Sequence, residues 1–493
     1  MAINNTSNTK QALWLMLSNF SSLALAFVSA AILSRFFDKV EYGTYRQILY
    51  VYGTLQTIFT IGLPSVFSYF IPRYNHQEGK YFVKKLNLIF VLLGLIFSLF
   101  LFLSSNLIAD ILNNESLALG LKIFSIFPLF TLPALGVEGL YIALKKTKYV
   151  AIYNTITKLI MLFCIIIPVI FFDGGVIQAI LGWGSASLVT FVFAMYMKSK
   201  PYLGIKKKRI VNFYSTVFNY STPLMAASLV GFFIASSNQF FISRYYGTEE
   251  FAEFSNGFLS LPIIGMVGGS IKAVLLPLFS KAQVDGELDK ALISYKSAVE
   301  RVVILVLPLI LFCFAFSNEI MTFIYGELYY TSGKYFKASL IRDVFHILPY
   351  AAVLLATGNS KIYFKSHLVS AIFLLPLSYI LSISSYSPLI IIYLFVLIEI
   401  LRHIFLFKFI YKKEKLNLIP RDLLKKIITV VIHITLLLTL IYYLSIFLLP
   451  LQLPLVVVLS IKFIVFYIFL ILTQKFFKLK YMSPILNLIK NPK

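Results

Sequence analysis

Charge is scarce in this sequence, and acid is scarcer. Of 493 residues only 13% are charged, with Asp+Glu 20 against Lys+Arg 44 and a net charge of +24. Soluble domains are about a quarter charged and near half apolar. Here the apolar share is 59% and mean hydropathy is +0.86. A soluble enzyme, a disordered chain and a secreted scaffold are all excluded by that balance. Cysteine is nearly absent: Cys164 and Cys313 both fall in apolar runs, so neither a disulfide framework nor a thiolate metal site is available. The five histidines show no H-x-x-x-H spacing. What the chain has in abundance is long apolar runs.

A helix needs about 20 apolar residues to cross the hydrocarbon of a bilayer. Fourteen stretches qualify, near 11–34, 43–72, 86–108, 118–143, 151–172, 176–197, 217–243, 257–280, 302–324, 337–360, 367–384, 388–410, 427–449 and 455–474. No period-2 alternation suggests a barrel, so the expectation is an all-α polytopic membrane protein of 14 transmembrane helices. With the N-terminus placed in the cytoplasm, 31 of the Lys and Arg fall in inner segments, and only Arg35, Lys39, Arg244 and Lys334 fall outside. That positive-inside bias puts both termini in the cytoplasm. It also accounts for most of the net charge without nucleic acid, as topology and contact with anionic membrane lipids. The segment 281–301 reads as a short amphipathic helix, and the tail 475–493 as an interfacial segment.

The end of the first span and the end of the seventh can be laid over one another. Leu33-Ser34-Arg35-Phe36-Phe37-Asp38-Lys39-Val40-Glu41-Tyr42-Gly43-Thr44-Tyr45 matches Ile242-Ser243-Arg244-Tyr245-Tyr246-Gly247-Thr248-Glu249-Glu250-Phe251-Ala252-Glu253-Phe254 at eight of 13 positions, at a constant offset of 209. Interfacial anchors share this aromatic and basic vocabulary; a parallel duplication of six spans explains the preserved register. The expected layout is an N-lobe over 1–200, a C-lobe over 201–416, and helices 13 and 14 with a basic tail over 417–493. Substrate would then bind between the lobes.

The string Ser34-Arg35…Glu41-Tyr42-Gly43 resembles the first outer loop of polysaccharide flippases. So do Leu276-Pro277-Leu278…Asp285-Gly286…Tyr295…Arg301…Leu307-Pro308 and Ile324-Tyr325-Gly326-Glu327-Leu328-Tyr329. These proteins, of O-antigen and capsule assembly, belong to the multidrug/oligosaccharidyl-lipid/polysaccharide exporter superfamily. The resemblance implies two six-helix lobes opening alternately to either side of a bacterial inner membrane. It implies an undecaprenyl-diphosphate-linked oligosaccharide as cargo, with a glycan polymerase and a chain-length regulator as possible partners. It also implies cavity-lining first, second, seventh and eighth spans, which here carry Arg46, Gln56, Asn238, Gln239 and Lys272.

Nine basic residues and four acids lie within spans, where an ionisable side chain suggests function by default. Lys122, Lys337, Lys408 and Glu319 sit near helix ends and can snorkel. Glu138 and Lys158 are each ten residues from Lys148, so a hairpin would set them at similar depth, as a structural staple or an ion-linked pair. Glu399, Arg402 and His403 share one face at i, i+3 and i+4; Arg342, Asp343 and His346 form a similar set on the tenth span. Both sets could bind cargo or brace the second lobe. Lys272 and Arg46 are candidates for the diphosphate, while Arg35 and Arg244 could anchor the interface or close an outer gate. No cofactor is expected beyond a possible H+ or Na+ gradient. A lipid II flippase or a cation-coupled multidrug exporter remains an alternative reading, and a membrane glycan polymerase a lesser one, since no large outer loop is present.

Overall fold

The computed structural model describes residues 8–60, 62–384, 386–446, 453–477, 479 and 481, and among them every regular element is helical. Most of the tail 475–493, and Ser385 of the Ser385-Tyr386-Ser387 turn, lie outside the described residues. The chain divides into two compact units, 1–255 and 256–493.

In the first unit, α1 (Asn8–Phe36) is followed by α2 (Lys39–Phe59), which starts where the sequence can cap it. Asp38 Oδ1 accepts the Glu41 N–H at 2.8 Å, and Glu41 reaches back to the Asp38 N–H at 3.4 Å. Asn75 and Glu78 repeat the device at the start of α4 (His76–Ile111). Between α2 and α4 the chain breaks at Gly62, whose φ is +67°, and passes through Pro64 into the short α3 (Val66–Phe70). The fourth span is also broken. After α5 (Ser116–Phe124) and α6 (Pro128–Ala134), Gly136 at φ +88° separates α6 from α7 (Val137–Ala143). The unit continues with α8 (Thr147–Phe171), α9 (Val176–Ser199), α10 (Phe213–Tyr245) and α11 (Gly247–Gly257).

The second unit runs through α12 (Pro262–Asp285), α13 (Leu288–Ala315), α14 (Ser317–Tyr325), α15 (Gly333–His346) and α16 (Tyr350–Ala356). It ends with α17 (Ser360–Ile383), α18 (Pro388–Glu414), α19 (Arg421–Ile446) and α20 (Leu455–Thr473). The amphipathic stretch expected over 281–301 is not a separate helix: it is the end of α12, a turn at Gly286, and the first turns of α13. The reason is that α13 runs on unbroken through Pro308.

Ten described helices are long and apolar enough to cross a membrane, or 13 if each of three bent pairs is one span. The chain is therefore a multi-pass membrane protein. The seventh expected span, 217–243, falls within α10; a count of 14 stays an expectation. Pro and Gly inside spans can supply bends. Gly62 and Pro64 do mark one, whereas Pro262, Gly265, Gly268, Gly269 and Pro277 lie within the continuous α12, and the side chain of Pro223 lies outside the described residues. The other two bends fall at 125–127, between α5 and α6, and at 347–349, before α16.

Packing in the first unit centres on aromatic rings. Tyr52 stacks on Phe97 at 5.7 Å, and Phe124 lies 4.7 Å from Trp183. Helices α8 and α9 meet so closely that a Cβ at Gly182 would collide with the backbone carbonyl of Cys164. Gly182→Leu is therefore expected to force the two helices apart and to cost about 1–3 kcal/mol, read as a lowered melting temperature in detergent. Lys198, counted with the basic inner segments, is buried instead: its ammonium donates to Asn87 Oδ1 at 2.9 Å and to the Pro133 carbonyl at 2.7 Å. In the second unit Lys462 lies 3.7 Å from Glu319 and 4.5 Å over the Phe316 ring, tying α20 to α14. Glu319, in the first turn of α14, is thus an ion-pair partner and not simply a snorkelling helix-end acid.

Candidate functional site

Tyr42, Tyr45 and Arg46 follow the capped start of α2 at i, i+3 and i+4, so they share a face. That face lines a cavity of about 200 Å³ together with residues of α1, α8 and α9, among them Lys158 and Trp183. Two cations more than a hundred residues apart in sequence thus meet in one cavity. Arg46 Nη2 donates to the Ser255 carbonyl at 3.1 Å, and Lys158 is exposed to the cavity from the middle of α8. Among the described residues no acid forms an ion pair with either. Aromatic walls with unneutralised cations suit a ligand that carries negative charge and an apolar or sugar face.

The expected hairpin pair does not form. Glu138 is exposed in the first turn of α7, and no ion pair joins it to Lys158 among the described residues. The break at Gly136 explains this, because the fourth span is not one helix and equal sequence distance from Lys148 no longer sets one face. Glu138 instead complements the positive N-terminal end of α7.

Around Arg46 the ends of α2, α10 and α11 are tied by polar contacts. Gln47 Nε2 donates to Ser243 Oγ at 2.8 Å, and Asn114 Nδ2 donates to Gln47 Oε1 at 2.6 Å. Lys39 Nζ meets Glu253 Oε1 at 2.7 Å, and Arg244 Nη1 donates to the Asp110 carbonyl at 2.7 Å. Arg35 is exposed at the end of α1. A side chain at Gly43 would strike the Thr248 carbonyl, which accounts for the glycine in the Glu41-Tyr42-Gly43 string. Near the start of α10, Tyr69 of α3 stacks on Tyr220 at 4.0 Å, and the Arg73 guanidinium lies 3.6 Å over the Tyr69 ring.

Gln56 donates to the Tyr52 hydroxyl at 3.0 Å, which in turn donates to Thr131 Oγ1 at 2.5 Å, so it braces α2 against α6. Asn238 on α10 is buried with both amide atoms unpartnered, and Gln239 is half-buried beside it in sequence. Lys272 is exposed on α12.

The two charged sets of the second unit, read separately from sequence, form one network. Arg402 Nη2 donates to Glu399 Oε1 at 2.7 Å, while Glu399 Oε2 lies 3.4 Å from His346 Nε2. His346 stacks on His403 at 5.5 Å, and Tyr350 meets the His403 ring edge-on at 4.6 Å. Asp343 is fully buried. Its oxygens accept from Ser260 Oγ at 2.7 Å and the Leu261 N–H at 3.0 Å, and Arg342 Nη2 lies 3.3 Å from Oδ1. Asp343 therefore satisfies the entry into α12, where Pro262 occupies the first turn and has no N–H of its own.

The aromatic lining is what sequence reasoning missed at the first-unit cavity. Tyr42 and Tyr45 were legible through their spacing to Arg46; Trp183 gave no signal beyond being one of two tryptophans.

Residues 9–283 match the family model described as "Polysaccharide biosynthesis protein". The succinoglycan biosynthesis transport protein ExoT of Rhizobium meliloti (strain 1021) is 24% identical over 337 residues, which span 66% of this chain and 64% of that relative's length. Among solved structures, the lipid II flippase MurJ in an inward closed conformation superposes with a TM-score of 0.70 at 15% identity, covering 94% of this chain and 99% of that one. A transporter of the MOP superfamily from Pyrococcus furiosus, described by the reversed polarity of its binding pocket, gives 0.57 at 12% identity over 81% of this chain and 94% of that one. The chain shares its fold with these transporters and, matched over more than half its length, belongs to the polysaccharide biosynthesis protein family.

Proposed function

We propose that this protein is a flippase that carries an undecaprenyl-diphosphate-linked oligosaccharide from the cytoplasmic to the outer leaflet of a bacterial inner membrane by alternating access. The observation that carries the reading is the meeting of Arg46 and Lys158 in one aromatic-walled cavity. Sugar and diphosphate cannot enter hydrocarbon, whereas the polyprenyl tail is already at home there. A unit charge pair at 4 Å is worth about 1 kcal/mol in water and about 4 kcal/mol at an effective dielectric near 20, so two cations in a partly dry cavity favour a diphosphate strongly. The cavity is smaller than the roughly 300–1,000 Å³ of drug-sized pockets, so it would take the diphosphate end and leave the glycan outside. Family membership and fold support transport rather than chemistry as the activity.

Alternating access requires contacts that can be exchanged. The Lys39–Glu253 pair between α2 and α11 and the Tyr69–Tyr220 stack between α3 and α10 are proposed as the contacts to be broken in turn. An H+ or Na+ gradient is the proposed energy source; Glu399, whose second oxygen faces His346, is the acid best placed to respond to it. Lys272, Asn238, Gln239 and Arg342 remain proposed cargo contacts, and Arg35 and Arg244 proposed gate residues.

The test is translocation in proteoliposomes. A polyprenyl-diphosphate oligosaccharide with a fluorophore on the sugar is quenched by a membrane-impermeant reductant, and the protein is expected to make the protected fraction quenchable. Arg46→Ala should slow this about tenfold or more, the loss of one charge-assisted hydrogen bond. Rates equal to those of empty vesicles would refute the reading. Faster transport of lipid II would favour the lipid II alternative, and transport of an organic cation in place of the glycolipid would favour drug export.

A further inference from the structure

Helices α17 and α18 pack side by side, and an open cavity of about 500 Å³ lies along their seam. Its walls are almost wholly apolar: Val369 and Phe373 on α17 face it from one side, Leu401 and Phe405 on α18 from the other. These four side chains are about half exposed. In a multi-pass membrane protein such a groove meets lipid, so apolar walls alone would be unremarkable.

Two cations set this groove apart. Lys365 and Arg402 both line it. Arg402 is more than nine-tenths buried; its Nη2 pairs with Glu399, the Tyr350 hydroxyl lies within reach of its guanidinium, and no well-aligned hydrogen bond meets Nε or Nη1. A guanidinium at this depth with donors so poorly met is costly, since each buried unmade hydrogen bond carries a desolvation penalty. Glu399 neutralises one charge of the groove, and Lys365 is left over. The cationic end of the groove is also the end where Lys361 precedes α17's Lys365 and Lys412 and Lys413 close α18. Toward the other end the lining is Val369, Phe373 and Ile398, without charge.

We propose that this seam is a binding site for one anionic glycerophospholipid, its phosphate held by Lys365 and the remaining donors of Arg402 and one acyl chain laid between α17 and α18. The arrangement has the polarity of such a lipid: cationic where the headgroup lies, apolar where the chain runs. By the positive-inside expectation the lysine-rich end faces the cytoplasmic leaflet, where anionic lipid is attracted by about 1 kcal/mol per basic residue. The site is separate from the Arg46–Lys158 cavity, lies within the second unit alone, and does not depend on what the protein transports.

The experiment uses the full chain in nanodiscs of phosphatidylcholine with a minor share of photoactivatable phosphatidylglycerol carrying a diazirine on its acyl chain. Mass spectrometry is expected to place adducts on the segments containing Val369, Phe373, Leu401 and Phe405. Lys365→Glu, at an exposed position, should lower those adducts about fivefold without changing adducts elsewhere. A second readout does not depend on changing either cation: Phe373→Trp should be quenched by brominated-chain phosphatidylglycerol more than by the phosphatidylcholine analogue. Equal labelling by anionic and neutral probes, or labelling unchanged in Lys365→Glu, would overturn the proposal. Displacement of the phosphatidylglycerol probe by equimolar polyprenyl diphosphate would overturn it too, assigning the groove to the cargo's own lipid.

Discussion

Lys158→Glu is expected to abolish glycolipid translocation, by about 100-fold or more, while leaving the protein folded. The substitution removes one of two cations in the cavity and supplies a carboxylate to the other, so Arg46 would be neutralised from within. Loss of a charge-assisted hydrogen bond costs about 1.5–3 kcal/mol, and the new anion adds repulsion toward the diphosphate on top of that. Each 1.36 kcal/mol is a factor of ten in rate. Lys158 is exposed and has no ion-pair partner to lose, so melting temperature should hardly move. Lys158→Arg keeps the charge and should retain most of the activity. Wild-type translocation by Lys158→Glu would remove the cavity from the transport path.

The largest effect on stability is expected at Asp343. Its carboxylate sits at no exposure, accepts from Ser260 Oγ and the Leu261 N–H, and lies beside Arg342. Asp343→Ala would strip the start of α12 of two hydrogen bonds and leave the Arg342 guanidinium uncompensated over the Phe258 ring, 4.9 Å away. Removing one partner of a buried pair costs about 3–5 kcal/mol. Graded unfolding in mixed detergent should show this loss. Asp343→Asn, which keeps one acceptor, should lose about 1–2 kcal/mol. The double variant Asp343→Ala with Arg342→Leu should recover part of the loss, because the stranded charge goes with it. If Asp343→Ala melts like the parent protein, the carboxylate is not a structural brace and its role lies elsewhere.

Much of the helical architecture could be read from hydropathy, because a bilayer leaves each span to satisfy its own backbone. The breaks at Gly136 and Pro349 could not, since a left-handed glycine or a proline inside an apolar run does not announce whether the helix bends or ends. That same ambiguity misplaced Glu138. Arg46 and Lys158 were each legible as charges where charge is expensive, but their meeting was not: it depends on α2 and α8 converging across more than a hundred residues. The two charged sets at 342–346 and 399–403 were found by i, i+3, i+4 spacing; only the packing of α15 on α18 makes them one network. Lys198 shows the opposite limit. A lysine at the foot of a span looks like a loop residue until Asn87 and the Pro133 carbonyl are seen around it.

The repeat invites cutting the chain after six spans, yet α10 and most of α11 belong by packing with what precedes them. Gln47 rests on Ser243, Lys39 on Glu253, and Arg46 on the Ser255 carbonyl. A gene split near codon 256 would keep these partners on one polypeptide, whereas a split near codon 200 would sever all three. Co-expressed halves divided at the later point are thus the better prospect for reassembly, and a duplication read from sequence likeness is a poor guide to where the chain can be cut.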